Sequence, residues 1–196
     1  MMLEKLKEID AALLLFINGH NSVIADFIFF WISNKWVWIP FYIWLAWIVI
    51  RFDKSHVLLI LLFIAAAITI SDQLASSVIK QQVMRLRPTH DPLLSDKIHI
   101  INNYKGGMYG FVSSHAANVF ALAAFISRLK IPVNFPLMKI LWTWAVVVSF
   151  SRIYLGVHFP GDIIGGAVVG ILSGLLAAGI YTLSVRKFSE TNKTAG

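Results

Sequence analysis

Three short polar segments of the chain carry residue types suited to phosphate chemistry, and the last holds the most informative pair. His158 precedes Asp162 by four residues, and Pro160 between them suits the first position of a helix. A carboxylate at this spacing along the chain can fix the tautomer of an imidazole and raise its basicity, as a histidine nucleophile or base requires. Arg152 adds a planar guanidinium suited to phosphate oxygens. The alternative interpretation is a capping aspartate beside a loop histidine.

The second segment opens an apolar stretch with Val112-Ser113-Ser114-His115. Ser113 or Ser114 can cap a helix there, and the free N–H groups of its first turn form an anion site. His115, within that turn, could donate a proton to a leaving group. Taken alone, the segment favours a plain capped helix with an interfacial histidine.

The first segment places Lys80 and Arg87 seven residues apart, just before Pro88. If the helix continues to the proline, the two cations share one helix face at a separation of roughly 10 Å. Two aligned cations could hold a multiply charged anion, whereas the alternative is a basic flank at a membrane boundary. We assign Arg85, which points elsewhere on the helical wheel, to that boundary role.

In this order, the three segments resemble the signature of the type-2 phosphatidic acid phosphatase family. These membrane lipid phosphatases share a catalytic core with vanadium-dependent haloperoxidases and soluble acid phosphatases. The matching motifs are Lys80-x6-Arg87-Pro88, Ser113-Ser114-His115 and Ser151-Arg152-x5-His158-x3-Asp162. The middle motif departs from the usual Pro-Ser-Gly-His of the family, because serine occupies the glycine position.

The resemblance implies a role for each matched residue. His158 would take the phosphoryl group as a phosphohistidine, Asp162 would orient it, and His115 would protonate the departing oxygen. The phosphate would be held by Lys80, Arg87, Ser113, Ser114 and Arg152. No metal or other cofactor is implied, and the sequence offers no dense carboxylate–histidine set to hold a metal.

The elements that must position these residues are helices long enough to cross a bilayer. A spanning helix needs about 20 mostly apolar residues. Five stretches qualify, namely 36–50 extended by 27–32, 57–79, 116–129, 137–155 and 163–185. The sequence leaves open whether residues 25–33 form a separate short helix or the start of the first span. Residues 1–21 instead predict an interfacial amphipathic helix. We therefore predict an all-α polytopic membrane bundle, a single domain over residues 1–196 with five transmembrane helices, or six if the N-terminal segment inserts.

Two further features of the predicted spans concern helix packing. Small residues recur through the last span, at Gly165, Gly166, Gly170, Gly174 and Gly179, and predict close packing against another helix. Asp72 lies within the second span. Its carboxylate either pairs with a cation of the site or makes a helix–helix hydrogen bond, and the sequence leaves both alternatives open.

The overall composition excludes several protein classes. Of 196 residues, 58% are hydrophobic and 14% are charged, whereas soluble domains carry roughly 25% charge. A soluble haloperoxidase is therefore excluded. The absence of cysteine excludes a disulfide framework, a thiol nucleophile and a thiolate metal site.

On a soluble chain, the net charge of +7 would indicate a nucleic-acid partner. In this chain the basic residues include two groups with other roles. Three basic residues belong to the phosphate motifs. Eight others fall on one side of the five-span arrangement, namely Arg51, Lys54, Arg128, Lys130, Lys139, Arg186, Lys187 and Lys193. Basic residues mark the cytoplasmic side. We therefore predict a bacterial inner (plasma) membrane protein, with the motifs and the long loop 81–113 on the periplasmic or extracellular face.

These inferences predict an integral-membrane lipid phosphatase that acts on a phosphate monoester or diphosphate. The candidate substrates are undecaprenyl diphosphate, phosphatidylglycerophosphate, phosphatidate and lipid A, with a slight preference for the first because the chain is compact. Loop 81–113 would cover the site and select head groups. The alternative is a non-hydrolytic lipid-phosphate transporter or a phosphotransferase that uses the same basic pocket. The sequence sets no oligomeric state.

Overall fold

The computed structural model describes residues 2–194, without the side chains of Leu3 and of residues 188–194. Met1, residues 195–196 and the Lys193 side chain lie outside the described residues. The helices are α1 Met2–Gly19, α2 Val23–Ser33, α3 Ile39–Phe52, α4 Val57–Gln73, α5 Lys80–Val83, α6 Ser114–Leu129, α7 Leu137–Tyr154 and α8 Pro160–Thr194. A π-helical segment, Leu74–Ile79, joins α4 to α5. Within residues 2–194 the only strand-like pairing is an isolated bridge between Leu86 and Tyr109, so the predicted all-α fold is confirmed.

Four stretches are long and apolar enough to cross a membrane: Lys35–Phe52, Val57–Val83, Leu137–Tyr154 and Pro160–Lys187. Helices α1 and α2 together form a fifth candidate, bent by 117°. With 16 residues, α6 is shorter than a usual span, yet ten of those residues are buried. It lies at the centre of the bundle against α4, α7 and α8.

Residues 25–33 belong to a separate short helix and not to the first span, because the chain breaks between α2 and α3. Asn34 ends α2 with an extended backbone, at φ −83° and ψ 118°. Its side-chain oxygen then accepts the Trp36 N–H at 3.0 Å and caps the 3-10 helix Lys35–Trp38. An asparagine favours such a cap over a helix interior because its side chain competes for backbone hydrogen bonds.

The condition that the helix continues from Lys80 to Pro88 is not met, since α5 ends at Val83 and Met84 adopts a left-handed conformation at φ 47°. A residue before proline avoids the helical region, and Arg87 is extended at φ −69° and ψ 155°. Its N–H donates to the Met108 carbonyl at 2.9 Å instead. Lys80 and Arg87 therefore reach the site through a reversal of the chain, not along one helix face.

The two helices that begin at the second and third sequence motifs, α6 and α8, approach each other closely. This close approach involves Gly166, Gly170 and Gly174. A Cβ at Gly170 would lie 2.1 Å from the Ala117 carbonyl oxygen, which confirms the predicted small-residue packing there. A Cβ at Gly165 would contact the side chains of Val112 and Phe111. The prediction is wrong for Gly179, where an added Cβ would have no atom of another described element within 4 Å.

Helix α1 presents one face to the protein and an apolar face outward. Leu14 and Asn18 are buried, and the Asn18 amide donates to the carbonyls of His99 at 3.0 Å and Tyr154 at 2.8 Å. The opposite side exposes Leu6, Ile9, Leu13 and Phe16. This arrangement is that of an amphipathic helix, and its position in the membrane interface stays a prediction.

Candidate active site

The buried centre of the site is the pair formed by His158 and Asp162, which are 1% and 0% exposed. His158 Nδ1 lies 3.2 Å from Asp162 Oδ2, and the same oxygen accepts the Phe159 N–H at 3.0 Å. The pair forms because α8 begins at Pro160 and places Asp162 in its first turn, as the sequence predicted. With Nδ1 engaged, Nε2 is the ring nitrogen available for attack.

The surroundings of His158 keep its ring neutral. Burial, followed by the charges of Arg87, Arg152, Lys80 and Arg85, holds the pKa of His158 well below its usual 6.5. Burial and the charge of Arg152 also lower the pKa of Arg87 to about 10, so that guanidinium stays charged at neutral pH. A neutral imidazole among cations is the state that a nucleophile facing a phosphate requires.

The first turn of α6 is joined directly to this pair. Ser113 caps α6, since its Oγ accepts the Ala116 N–H at 3.4 Å. The Ser113 N–H donates to the Asp162 carbonyl at 2.9 Å and so ties the start of α6 to the start of α8. Lys80 Nζ donates to Ser114 Oγ at 3.3 Å, which brings the first predicted cation to the same turn.

Arg87 is held by backbone carbonyls next to the pair. Its Nε donates to the Tyr109 carbonyl at 3.1 Å and its Nη1 to the Val157 carbonyl at 3.3 Å. Val157 directly precedes His158 in the chain. The guanidinium is therefore fixed beside the candidate nucleophile, although the helix geometry predicted for it is not present.

Arg152 is 2% exposed and keeps one donor uncommitted. Its Nη2 donates to the Tyr104 hydroxyl at 2.9 Å, and its Nη1 donates to Ser33 Oγ. Its Nε has no hydrogen-bond partner among the described residues. Since buried donors are nearly always paired, this N–H favours an anion as its partner.

The segment before α6 passes directly over the pair. A Cβ at Gly110 would lie 2.9 Å from Asp162 Oδ2 and 3.6 Å from His158 Nδ1. The Gly110 N–H is held in place by the Arg85 carbonyl at 2.8 Å. Only glycine allows the backbone this close an approach.

Two site residues were not recognised from the sequence. Arg85 donates to Asp162 Oδ1 at 3.1 Å and to Asp10 Oδ2 at 2.7 Å, so its assignment as a boundary cation is wrong. The chain reversal after Val83 turns Arg85 inward, which a helical wheel cannot show. Tyr104, the partner of Arg152, lies in a loop without a motif, and no sequence signal identifies it.

Asp72 makes the helix–helix hydrogen bond that was one of its two predicted roles. Its Oδ1 accepts the Asn118 side-chain N–H at 3.1 Å and joins α4 to α6. Asp72 also borders a cavity that Ser114 and His115 line at the site. It therefore supports the helix that carries these two residues.

Two cavities meet at His115. The larger, of about 650 Å³, lies between α3, α4, α6 and α7, and its apolar lining includes Leu45, Leu61, Ile64, Val119, Leu122 and Trp144. The smaller, of about 290 Å³, is lined by Asn34, Lys35, Trp36, Tyr104, His115 and Arg152. A phosphate at the site would thus have an apolar cavity on one side and an aromatic, cationic one on the other.

The structure brings all eight predicted site residues into one cluster: Lys80, Arg87, Ser113, Ser114, His115, Arg152, His158 and Asp162. Among the side chains that the structure describes, no group of three or more His, Asp or Glu is arranged to hold a metal ion. The profile of the PAP2 superfamily matches residues 56–186. The chain belongs to the PAP2 superfamily.

Individual relatives extend this match over the whole chain. The PAP2 chain is 37% identical over 193 residues to a lipid A 4′-phosphatase of Bacteroides thetaiotaomicron, covering 97% of this chain and 85% of that protein. It is 37% identical over 183 residues to a lipid A 4′-phosphatase of Porphyromonas gingivalis, with 91% and 75% covered. The protein is accordingly an integral-membrane lipid phosphatase.

A solved structure shows the same fold. The first transmembrane PAP2 type phosphatidylglycerolphosphate phosphatase from Bacillus subtilis superposes with a TM-score of 0.63 at 23% identity. The match covers 90% of this PAP2 chain and 86% of that chain. The predicted resemblance and the predicted membrane bundle are thus confirmed.

Proposed function

We propose that this PAP2 phosphatase removes a phosphate monoester from a glycolipid of the lipid A 4′-phosphate class. The observation that carries the proposal is the buried His158–Asp162 pair, which lies close to three cations, together with an apolar cavity that reaches the neighbouring Ser114 and His115. The two lipid A 4′-phosphatases that cover most of this chain support the substrate class. On this support we propose lipid A ahead of undecaprenyl diphosphate, which the compact size of the chain slightly favoured.

In the first step, His158 Nε2 attacks phosphorus and forms a nitrogen–phosphorus bond as the bond to the sugar oxygen breaks. His115, protonated once the phosphate dianion is bound beside it, donates that proton to the oxygen, which leaves as the sugar hydroxyl. Asp162 accepts the His158 Nδ1–H and stabilises the charge that develops on the ring. In the second step, water attacks phosphorus while His115 takes a proton from it, and phosphate leaves with His158 restored.

Three cations balance the charge of the transferring group. Lys80, Arg87 and Arg152 surround the position of the phosphate, and Arg152 keeps an unpaired Nε–H for it. Phosphoryl transfer depends mainly on positioning and on stabilisation of charge. Ser113, Ser114 and the N–H groups of the first turn of α6 supply further donors.

The cavities support a glycolipid substrate. The apolar cavity begins at Ser114 and His115, so an acyl chain can extend from the phosphate into the bundle. The smaller cavity offers the rings of Trp36 and Tyr104 to a sugar, and Lys35 to a second anionic group. Phosphatidate lacks a sugar and would leave this cavity unused.

We further propose the location and the domain arrangement. The site lies on the periplasmic face of a bacterial inner membrane, because the predicted cytoplasmic basic residues belong to the other ends of the helices. Residues 1–21 form the interfacial helix, and loop 81–113 covers the site of a single domain that extends over residues 1–196.

A substrate panel tests this proposal. The purified protein is assayed in detergent with lipid A, phosphatidylglycerophosphate, phosphatidate and undecaprenyl diphosphate. We expect the highest kcat/KM for lipid A, with loss of the 4′-phosphate and retention of the 1-phosphate by mass spectrometry. A higher kcat/KM for another lipid would overturn the substrate class. Transfer of phosphate to an acceptor lipid would indicate a phosphotransferase, and binding without turnover a transporter.

A pair of tryptophan variants tests the sugar cavity. Trp36→Ala should lower kcat/KM for lipid A more than for phosphatidate, because only lipid A places a sugar beside that ring. Trp31→Ala is the matched control, since Trp31 is also exposed but borders a different cavity. Equal losses on both substrates for Trp36→Ala would contradict the sugar cavity.

A further inference from the structure

Arg85 bridges two carboxylates from different parts of the chain. Its Nη1 donates to Asp162 Oδ1 at 3.1 Å and its Nη2 donates to Asp10 Oδ2 at 2.7 Å. The guanidinium lies over the Phe159 ring, 3.8 Å from its centre. These contacts hold both ends and one face of the Arg85 guanidinium. Arg85 is therefore not free to bind phosphate in the way that Arg152 is.

Asp10 makes a second contact with the first turn of α8. The Gly161 N–H donates to Asp10 Oδ1 at 2.7 Å. Gly161 directly precedes Asp162, and the first N–H groups of a helix lack partners within the helix. Asp10 therefore holds this turn directly through Gly161 and indirectly through Arg85.

These contacts complete the hydrogen bonding of Asp162. Its Oδ2 faces His158 Nδ1 and the Phe159 N–H, and its Oδ1 faces Arg85. With both oxygens engaged, the plane of the carboxylate is fixed. A fully buried carboxylate also needs a compensating charge, which Arg85 supplies.

We propose that Arg85 and Asp10 are positioning residues of the phosphatase reaction, which fix the Asp162 carboxylate and thereby the orientation of the His158 ring. The inference rests on the proposed role of His158 as nucleophile. Asp10 belongs to α1, which precedes residues 56–186 of the family match. Helix α1 is then part of the catalytic apparatus as well as a membrane-facing element.

Steady-state kinetics of Arg85→Gln and Asp10→Asn give the first test. We expect kcat to fall about ten- to a hundredfold, as for other residues that orient a catalytic ligand, while KM changes by less than about threefold. Lys7→Gln is the matched control, because Lys7 lies on the same helix in an exposed ion pair with Glu4. Thermal unfolding of each variant sets an assay temperature at which all of them are folded.

Non-additivity separates positioning from a general loss of stability. If Arg85 acts through Asp162, adding Arg85→Gln to Asp162→Asn should cost less than about threefold in kcat beyond the single variant. Residues that act independently would instead multiply their effects. A full multiplicative loss would overturn the proposal.

The pH profile of kcat/KM distinguishes positioning from a purely structural role, because loss of stability alone would not shift its acid limb. Arg85→Gln removes a cation that disfavours protonation of His158, so the acid limb of kcat/KM should shift to higher pH. Asp10→Asn leaves that charge in place and should cause no upward shift. The other charged or titratable groups around the ring, Arg87, Arg152, Lys80, His115 and Asp162, are the same in both variants.

The outcomes distinguish this inference from the proposed function. Wild-type kcat in both Arg85→Gln and Asp10→Asn, with an inactive His158→Ala, would overturn the positioning roles alone. Activity retained in His158→Ala would overturn the proposed mechanism and the inference together. Reduced kcat, non-additivity with Asp162→Asn and the one-sided pH shift together would support the positioning roles.

Discussion

At the scale of single residues, the reactivity that we propose for His158 depends on its burial among cations. Burial and four nearby positive charges disfavour a further proton on the ring, and Asp162 holds the Nδ1 side. The cations that would bind the phosphate therefore also keep the His158 ring neutral. Serine at position 114, where the family usually has glycine, adds a hydroxyl that engages Lys80.

This electrostatic arrangement predicts the pH dependence of activity. Only the neutral His158 ring can attack, and its pKa lies well below 6.5, so kcat/KM should be retained as the pH falls through 6.5. The loss should come at a lower pH, where the ring becomes protonated. The measurement is a pH profile of kcat/KM, with the titration of the substrate phosphate followed by phosphorus NMR as control. Half-loss at pH 6.5 or above, without a matching substrate titration, would contradict the assignment.

At the scale of elements, α6 and α8 form the frame of the site, since each begins at a catalytic motif. We expect Gly170→Ala to lower the free energy of unfolding by about 1–3 kcal/mol, because its Cβ would lie 2.1 Å from the Ala117 carbonyl oxygen. Thermal unfolding in detergent is the measurement. Gly179→Ala is the matched control on the same helix and should be neutral or stabilising, since its Cβ would have open space. Equal stability of the two variants would argue against the close helix contact.

The apolar cavity between α3 and the central helices predicts a dependence on acyl chains. Ala46 lines this cavity away from the catalytic residues, and Ala46→Trp should fill part of it. We expect kcat/KM to fall about tenfold or more for long-chain substrates, because even one misplaced methylene costs about 1–3 kcal/mol. Hydrolysis of a short-chain, water-soluble phosphate should be unchanged. An equal loss on both substrates would instead indicate damage to the site.

At the scale of the whole molecule, the sequence predicted the helical bundle and the catalytic cluster, because hydropathy and motif spacing are both local signals. It left the break at Asn34 undecided and did not predict the chain reversal after Val83, because a side-chain cap and a proline outweigh the hydrophobic pattern at these points. Arg85 and Tyr104 were missed for a related reason. Their partners lie far away in the chain, and only the folded structure brings them together.

The proposed orientation can be tested directly because the chain contains no cysteine. Lys97 lies on the outer loop and Asn134 lies between α6 and α7, and both are exposed. At about 1.5 Å per residue, the 16-residue α6 separates its two ends by about 24 Å. In spheroplasts with an intact inner membrane, an impermeant maleimide should label the Lys97→Cys variant. It should label the Asn134→Cys variant only after lysis. The reverse pattern would contradict a periplasmic site.

The central claim is that phosphate passes through His158, and the most direct test is to trap that intermediate. Wild-type protein is mixed with substrate carrying radiolabelled phosphate and is quenched within one turnover in alkali, in which phosphohistidine survives. We predict a labelled peptide that contains His158, and no label in His158→Ala. Full hydrolysis by His158→Ala, or label on another residue of the wild-type protein, would contradict the account.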